Sequence, residues 1–376
     1  MINAKQAAYT LLLAGALSSA SFYAEAQKKD FTLTGHIKGM PDGELYLAYG
    51  TMKTMKADTV VAKNGNFVFK GKVSEPSYAM LFNKTYTVKI DLYVDAAAPV
   101  TIKGNMDSLY DANVQGSAVV NEYAKYNQAQ NDTRKPVQVI YEQWMKAYND
   151  KDSIAVEKYK TQFNRARNEQ SDISRKMQLD FIQGHPNHPG SAWELMHYLD
   201  GKTLEKSKGL FENLSKTVQA SEQGKEVAAR IATLSRISVG QMAPNFQQLT
   251  TENAPVTLAS YKGRYVLLEF WASWCGPCRA ESPNLLKEYN HYKDKGFDVL
   301  AVSLDDKKDK WVEAIKKDGM PWTQVSDLKG WKNEVAGLYG INAVPANFLI
   351  DPTGKIVARD LRGEDLGKAL AKIFPM

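Results

Sequence analysis

The chain has 376 residues, 44% of them hydrophobic and 24% charged, with a formal net charge of +6. That length exceeds one ordinary domain and points to about two or three, and the apolar share excludes a disordered polyelectrolyte. The small basic excess is interleaved with acids, as in Asp305-Asp306-Lys307-Lys308-Asp309-Lys310; it reads as a solvated face, and no nucleic-acid or anionic-membrane partner is expected.

At the N-terminus Lys5 precedes an apolar run over 7–17, and Ala24-Glu25-Ala26 stands before Gln27. A positive start, a short apolar core and an A-x-A site predict a cleavable secretory signal peptide over 1–26. The alternative is an uncleaved membrane anchor, although the apolar core is shorter than a full span. No cysteine follows that core, which excludes lipoprotein-type attachment.

From 27 to 116 short alternating runs are separated by turn residues. Thr32-Leu33-Thr34-Gly35-His36-Ile37 and Glu44-Leu45-Tyr46-Leu47-Ala48-Tyr49 flank Pro41-Asp42-Gly43, and Asn64-Gly65-Asn66 leads into Phe67-Val68-Phe69. Asn-Gly between apolar alternations is a strong hairpin signal. The pattern predicts an all-β domain of about six to eight strands, built as a sandwich. It contains no catalytic cluster.

From 117 to 239 glycine and proline thin out and apolar residues recur at spacings of three and four. Val137, Tyr141, Trp144, Met145 and Tyr148 form one stripe, read as core, and Met177, Phe181 and Ile182 belong to another. His185-Pro186-Asn187-His188-Pro189-Gly190-Ser191 breaks the pattern, with Ser191 as N-cap of the next helix. The reading is a helical region of about four to six helices. His185, His188 and His197 match no metal-ligand spacing, so no metal site is expected.

Gln241-Met242-Ala243-Pro244-Asn245-Phe246 opens a third region, over 240–376. Strands at 265–271, 297–304, 323–325, 346–350 and 355–360 alternate with helices at 275–293, 308–318, 331–339 and 364–373. Asp351-Pro352-Thr353-Gly354 turns between the last two strands. Such alternation implies a central sheet covered on both faces.

Both cysteines of the sequence, Cys275 and Cys278, sit where the apolar strand Val266-Leu267-Leu268-Glu269-Phe270-Trp271 gives way to a helix. Two residues between them let the sulfurs reach bonding distance without refolding. A helix N-terminus stabilises a thiolate, which favours an exposed Cys275 as nucleophile and a shielded Cys278 as resolving thiol. Secreted proteins usually spend cysteines on staples, yet a bridge over so small a loop would stabilise little. The pair therefore reads as a working redox couple.

Trp274-Cys275-Gly276-Pro277-Cys278 after a buried strand resembles the signature of the thioredoxin superfamily. Together with Gln241-Met242-Ala243-Pro244-Asn245-Phe246 and the extra helix and strand between 305 and 326, it resembles the TlpA/ResA branch over about 240–376. The 27–116 region is similar to a β domain of unknown function that precedes thioredoxin-like domains in secreted proteins of Gram-negative bacteria, which implies a periplasmic location. The architecture expected is multidomain: an N-terminal all-β sandwich-like domain, a central α-helical region and a C-terminal α/β thioredoxin-like fold.

The resemblance implies roles for further residues. Glu269 stands where thioredoxins carry a buried acid; flanked by Leu268 and Phe270 it would be desolvated, with a raised pKa suited to accepting the Cys278 proton. Glu281, at i+3 from Cys278, matches an acid of the ResA-like branch, against the alternative of a solvated early-helix residue. Nearby acids make the couple more reducing, with Arg279 opposing them. Ala343-Val344-Pro345-Ala346 resembles the cis-proline loop facing the cysteines, where Val344 would pair with an incoming chain. Gly276 and Pro277 keep that approach open, Trp274 lies at its rim, and Trp271 is core.

The expected activity is periplasmic thiol-disulfide exchange with protein substrates, in the reducing direction, fed by a membrane thiol-disulfide electron donor. No cofactor is expected beyond the redox-active Cys275–Cys278 pair. A disulfide-introducing oxidase is the alternative enzyme, and a binding module with an accessory redox domain the alternative of another class. The first two domains are expected to position the third or to bring it together as a homodimer.

Overall fold

A computed structural model describes residues 28–375, so the signal segment expected over 1–26 lies outside the described residues. The chain divides into two compact units, 1–135 and 136–376.

The first unit holds β1 (Lys29–Lys38), β2 (Gly43–Tyr49), β3 (Lys56–Ala62), β4 (Asn66–Val73), β5 (Ser77–Asn83), β6 (Lys89–Val94), β7 (Val100–Asn105) and β8 (Asn113–Gln115). They form two four-stranded sheets, ordered β4-β1-β7-β8 and β3-β2-β5-β6. Alternating residues turn inward and meet between the sheets, as in the edge-to-face contact of buried Phe31 and Tyr49 at 5.1 Å. The chain passes from β3 to β4 through Asn64 (φ 48°) and Gly65 (φ 76°), and a Cβ on Gly65 would stand 2.3 Å from the Ile37 carbonyl oxygen. Only glycine fits that left-handed turn. α1 (Ala118–Asn149) starts in this unit and ends in the second.

In the second unit the remainder of α1 is followed by α2 (Ser153–Gly184), α3 (Pro189–Tyr198), α4 (Leu204–Asn213), α5 (Lys216–Ala220) and α6 (Glu222–Arg236). Two expectations fail here. α3 is capped by His188, whose Nδ1 accepts the Gly190 N–H at 2.9 Å, and Ser191 lies inside the helix with its Oγ on the His185 carbonyl. Pro189 explains the shift, because its fixed φ and missing N–H suit the first helical position. The aromatic stripe of α1 is not core. Tyr141 and Tyr148 are 39% and 65% exposed, and Trp144 packs beside Phe163 of α2. Two long helices side by side leave half of each surface to water.

Then come β9 (Gln247–Thr250), β10 (Pro255–Thr257), β11 (Tyr265–Trp271), α7 (Gly276–Tyr292), β12 (Phe297–Ser303), α8 (Lys308–Asp318), β13 (Thr323–Ser326), α9 (Glu334–Leu338), β14 (Ala346–Ile350), β15 (Ile356–Arg359) and α10 (Glu364–Ile373). The sheet order is β10-β9-β13-β12-β11-β14-β15, with β11 parallel to β12 and antiparallel to β14. The β9–β10 hairpin was not foreseen, since Gln247-Gln248-Leu249-Thr250 is short and polar. The helix expected at 331–339 is a 3-10 turn at Gly330–Lys332 followed by α9. β11 is buried along almost its whole length, as a strand covered on both faces must be. One continuous core joins Ile182, Leu195, Val227 and Ile237 of the helices to Leu268, Phe270 and Val302 of the sheet.

Candidate active site

β11 delivers the chain into Ala272-Ser273-Trp274-Cys275 at the head of α7. Cys275 has extended backbone (φ −83°, ψ 96°) and caps the helix, its Sγ accepting the Cys278 N–H at 3.2 Å. Pro277 occupies the first turn, where its lost N–H costs nothing. The sulfurs are joined across a Cα–Cα distance of 5.3 Å. Cys275, expected to be exposed, is only 5% exposed in this oxidised state, and Cys278 1%. The reason is local: Cys275 Sγ is folded over the helix end by its bonds to Cys278. Trp274, Gly276 and Pro277 around it are exposed, and a Cβ on Gly276 would meet nothing within 4 Å.

The loop is held from below. Buried Asp305 accepts the Ser273 N–H at 2.9 Å, the Ser273 hydroxyl at 2.5 Å and the Ser303 hydroxyl at 2.7 Å. Arg279 donates to the Ser273 carbonyl at 3.1 Å and forms a two-pronged pair with Asp318, whose second contact is 2.6 Å. Its charge is therefore shared with Asp318, which weakens the opposition to the nearby acids expected of it.

Glu269 is 6% exposed on β11, in register with Ala301 of β12 and Asn347 of β14. Burial, with a smaller contribution from Glu281, pushes its carboxyl up to about 8. Glu281 is not a solvated residue. Its Oε1 accepts the Gly363 N–H at 2.8 Å and an Asn284 amide N–H at 2.7 Å. Both acids thus lie close enough to interact.

The Val344–Pro345 peptide is cis. Pro345 is buried, Val344 half-buried, and no loop hydrogen bond among the described residues uses the Val344 backbone. The Pro345 carbonyl accepts from the Arg362 guanidinium, so Glu281 and Pro345 bind neighbouring residues of one segment. Trp271 is 1% exposed, its indole N–H on Gln324 at 2.9 Å. Trp274 is 53% exposed and lies 5.9 Å, ring to ring, from Trp331, itself 52% exposed. Asp305, read from the sequence as part of a solvated charged face, is buried beneath the loop because its carboxylate is taken up by Ser273 and Ser303; Arg362 and Trp331 were missed by sequence reasoning. Only Trp331 carried a local signal, a bulky apolar residue inside Lys329-Gly330-Trp331-Lys332. Among the described residues no group of three or more His, Cys, Asp or Glu is disposed to hold a metal ion.

Residues 239–359 match the AhpC/TSA family, and residues 31–123 match DUF4369, a domain of unknown function. The thiol-disulfide oxidoreductase ResA of Bacillus thuringiensis is 32% identical over 144 residues, covering 37% of this chain and 81% of its own. The thioredoxin domain of the Bacteroides vulgatus thiol-disulfide oxidoreductase BVU-2223 is 41% identical, with a TM-score of 0.35 over 36% of this chain and 97% of that one. A Bacteroides fragilis thiol-disulfide oxidoreductase is 39% identical, TM-score 0.34, over 36% of this chain and 100% of its own. By its likeness to ResA over four fifths of that protein, and by the strand-to-helix cysteine pair described above, the chain belongs to the ResA family of thiol-disulfide oxidoreductases.

Proposed function

We propose that the protein reduces disulfides of other proteins outside the cytoplasm, in the periplasm. Cys275 as thiolate attacks one sulfur of a client disulfide, forming a mixed disulfide and releasing the first client thiolate. Cys278 gives its proton to Glu269 in the fraction of molecules where that carboxyl is ionised, and attacks the Cys275 sulfur. The Cys275–Cys278 bond forms, the second client sulfur leaves, and two electrons have passed to the client. A membrane dithiol donor then restores the pair. Val344 offers an unused backbone edge to an extended client segment. Gly276 and Pro277 leave its approach open, and Trp274 borders it. The Cys275–Cys278 pair is the redox centre, and no other cofactor is assigned.

The observation that carries the reading is the disulfide at the head of α7 with the buried, proton-retaining Glu269 on the strand leading into it. A base whose pKa lies near working pH serves proton transfer in both directions. The reducing direction is supported by the commitment of Arg279 to Asp318, which leaves less positive charge to favour the Cys275 thiolate. At neutral pH Glu269, raised to about 8, is largely protonated and so adds little negative charge beside the pair.

Cys275→Ala is expected to abolish insulin disulfide reduction, and Cys278→Ala to accumulate mixed disulfides. Activity persisting in the first variant refutes the assignment. Equilibration against glutathione settles direction, because superfamily potentials run from roughly −270 mV in thioredoxin to roughly −120 mV in strongly oxidising members. A value at the upper end makes the protein an oxidase.

A further inference from the structure

The Trp274–Trp331 pair brings together two large apolar rings, each about half in water, one of them on the residue immediately before Cys275. Both are mounted on fixed backbone. Trp274 lies between Ser273, locked onto Asp305, and Cys275, the cap of α7. Trp331 lies between Gly330, whose positive φ (58°) sets the turn, and Asn333. The Asn333 side chain is 2% exposed; it accepts from Val335 N–H, Ala336 N–H and Gln248 and donates to Asp327. Indoles are seldom left half in water on a rigid mount without apolar area to bury later, and such anchors recur at the centre of recognition surfaces. Two of the neighbouring cations are already paired, Lys329 with Glu334 and Asp327 and Arg279 with Asp318, while Lys332, next to Trp331, is exposed. The two indoles supply the apolar contact that selects what docks.

Resting on the reading of Cys275 as the attacking thiol, we propose that Trp331, with Trp274, forms a subsite for a bulky apolar side chain next to the reacting cystine of the client. The occupant is an extended polypeptide segment, since the pair is continuous through Trp274 with the cysteine that the client must reach. A phenylalanine-sized group seated against both indoles buries apolar area that a serine does not. It thereby favours clients whose disulfides are flanked by residues that belong in a protein interior, as in a partly unfolded chain.

The test uses the full chain in its reduced state and two peptides. Each carries one intramolecular disulfide, and they differ only in Phe or Ser before the first cysteine. Rates are normalised to the same variant's rate with oxidised glutathione, which has no such side chain. The wild type is expected to prefer the Phe peptide in kcat/KM by roughly tenfold, the scale of one apolar group in a pocket, with the difference mainly in KM. Trp331→Ala should bring the ratio close to one, and Trp331→Phe should restore most of it. A wild-type ratio near one, or a ratio surviving Trp331→Ala, overturns the subsite. So does an outcome in which Trp331→Ala only converts a dimer to a monomer in sedimentation while the preference persists. Wild-type protein inert towards both peptides and glutathione brings down the redox reading itself, and the two failures are thereby distinct.

Discussion

The Glu281 carboxylate accepts the backbone N–H of Gly363 at 2.8 Å, across 82 positions of sequence. The same segment presents Arg362 to the carbonyl of Pro345. The acid three residues beyond Cys278 therefore fastens α7 to the stretch that supports the proline loop, and it also raises the pKa of Glu269 through its charge.

These two roles separate by substitution. Glu281→Gln keeps an oxygen for Gly363 but loses the charge, so the Glu269 carboxyl should titrate below about 8 in carbon-detected NMR. Glu281→Ala also orphans the Gly363 N–H and should cost about 1–2 kcal/mol in denaturant unfolding. An unchanged Glu269 titration in both variants refutes the charge coupling.

Glu269 itself should cost the fold stability in a defined pH window. Its folded carboxyl is raised to about 8 from an ordinary value of 4.5, so the folded state holds the proton more tightly than the unfolded chain. The penalty is absent below pH 4.5, grows as pH climbs towards 8, and is constant above that. Glu269→Gln should abolish this slope and leave the oxidised protein more stable at pH 8 by roughly 3–5 kcal/mol. In single-turnover resolution of a trapped mixed disulfide, the same variant should slow the step by about 10²-fold and lose the pH limb near 8.

Asp305 accepts three hydrogen bonds from Ser273 and Ser303 in a buried place. Asp305→Ala leaves those donors unsatisfied and should cost about 2–4 kcal/mol. Trp274 and Cys275 should lose their fixed position with it. The expected signature is a broadened Trp274 indole resonance in NMR alongside the lowered unfolding midpoint; a sharp, unshifted resonance would argue that the loop is held from elsewhere.

Asp318→Asn releases the Arg279 charge, which lies one residue beyond Cys278 at the N-terminal end of α7. A freed cation there favours the thiolate and should make the potential less negative by roughly 10–30 mV. Arg279→Gln leaves the Asp318 carboxylate unpaired instead and should move the potential the other way, to more negative values. Equal shifts in both variants would contradict this pairing argument.

The strand-turn-helix corner was legible because each part is local: a doubly buried apolar run, a Gly-Pro break, and a cysteine able to cap the helix that begins beside it. The helix at 308–318 and the turn at 351–354 were legible for the same reason. The residues supporting the site were not. Asp305 lies 32 residues from Ser273, and Arg279 39 from Asp318. Nothing in the immediate neighbours of either residue marks the contact. The α1 stripe misled because helical spacing shows that one face is apolar without showing what covers it.

The bridge between Cys275 and Cys278 uses every sulfhydryl in the sequence. Any thiol-counting reagent applied to the whole protein therefore reads the redox couple with no background, two equivalents when charged and none when spent. It also means that a captured client has a single internal exit. With no third thiol in the chain to intercept it, each covalent encounter ends in release by Cys278, in return attack by the client's own freed thiolate, or in attack by an outside thiol, and the partition among them is measurable from the products of one covalent species.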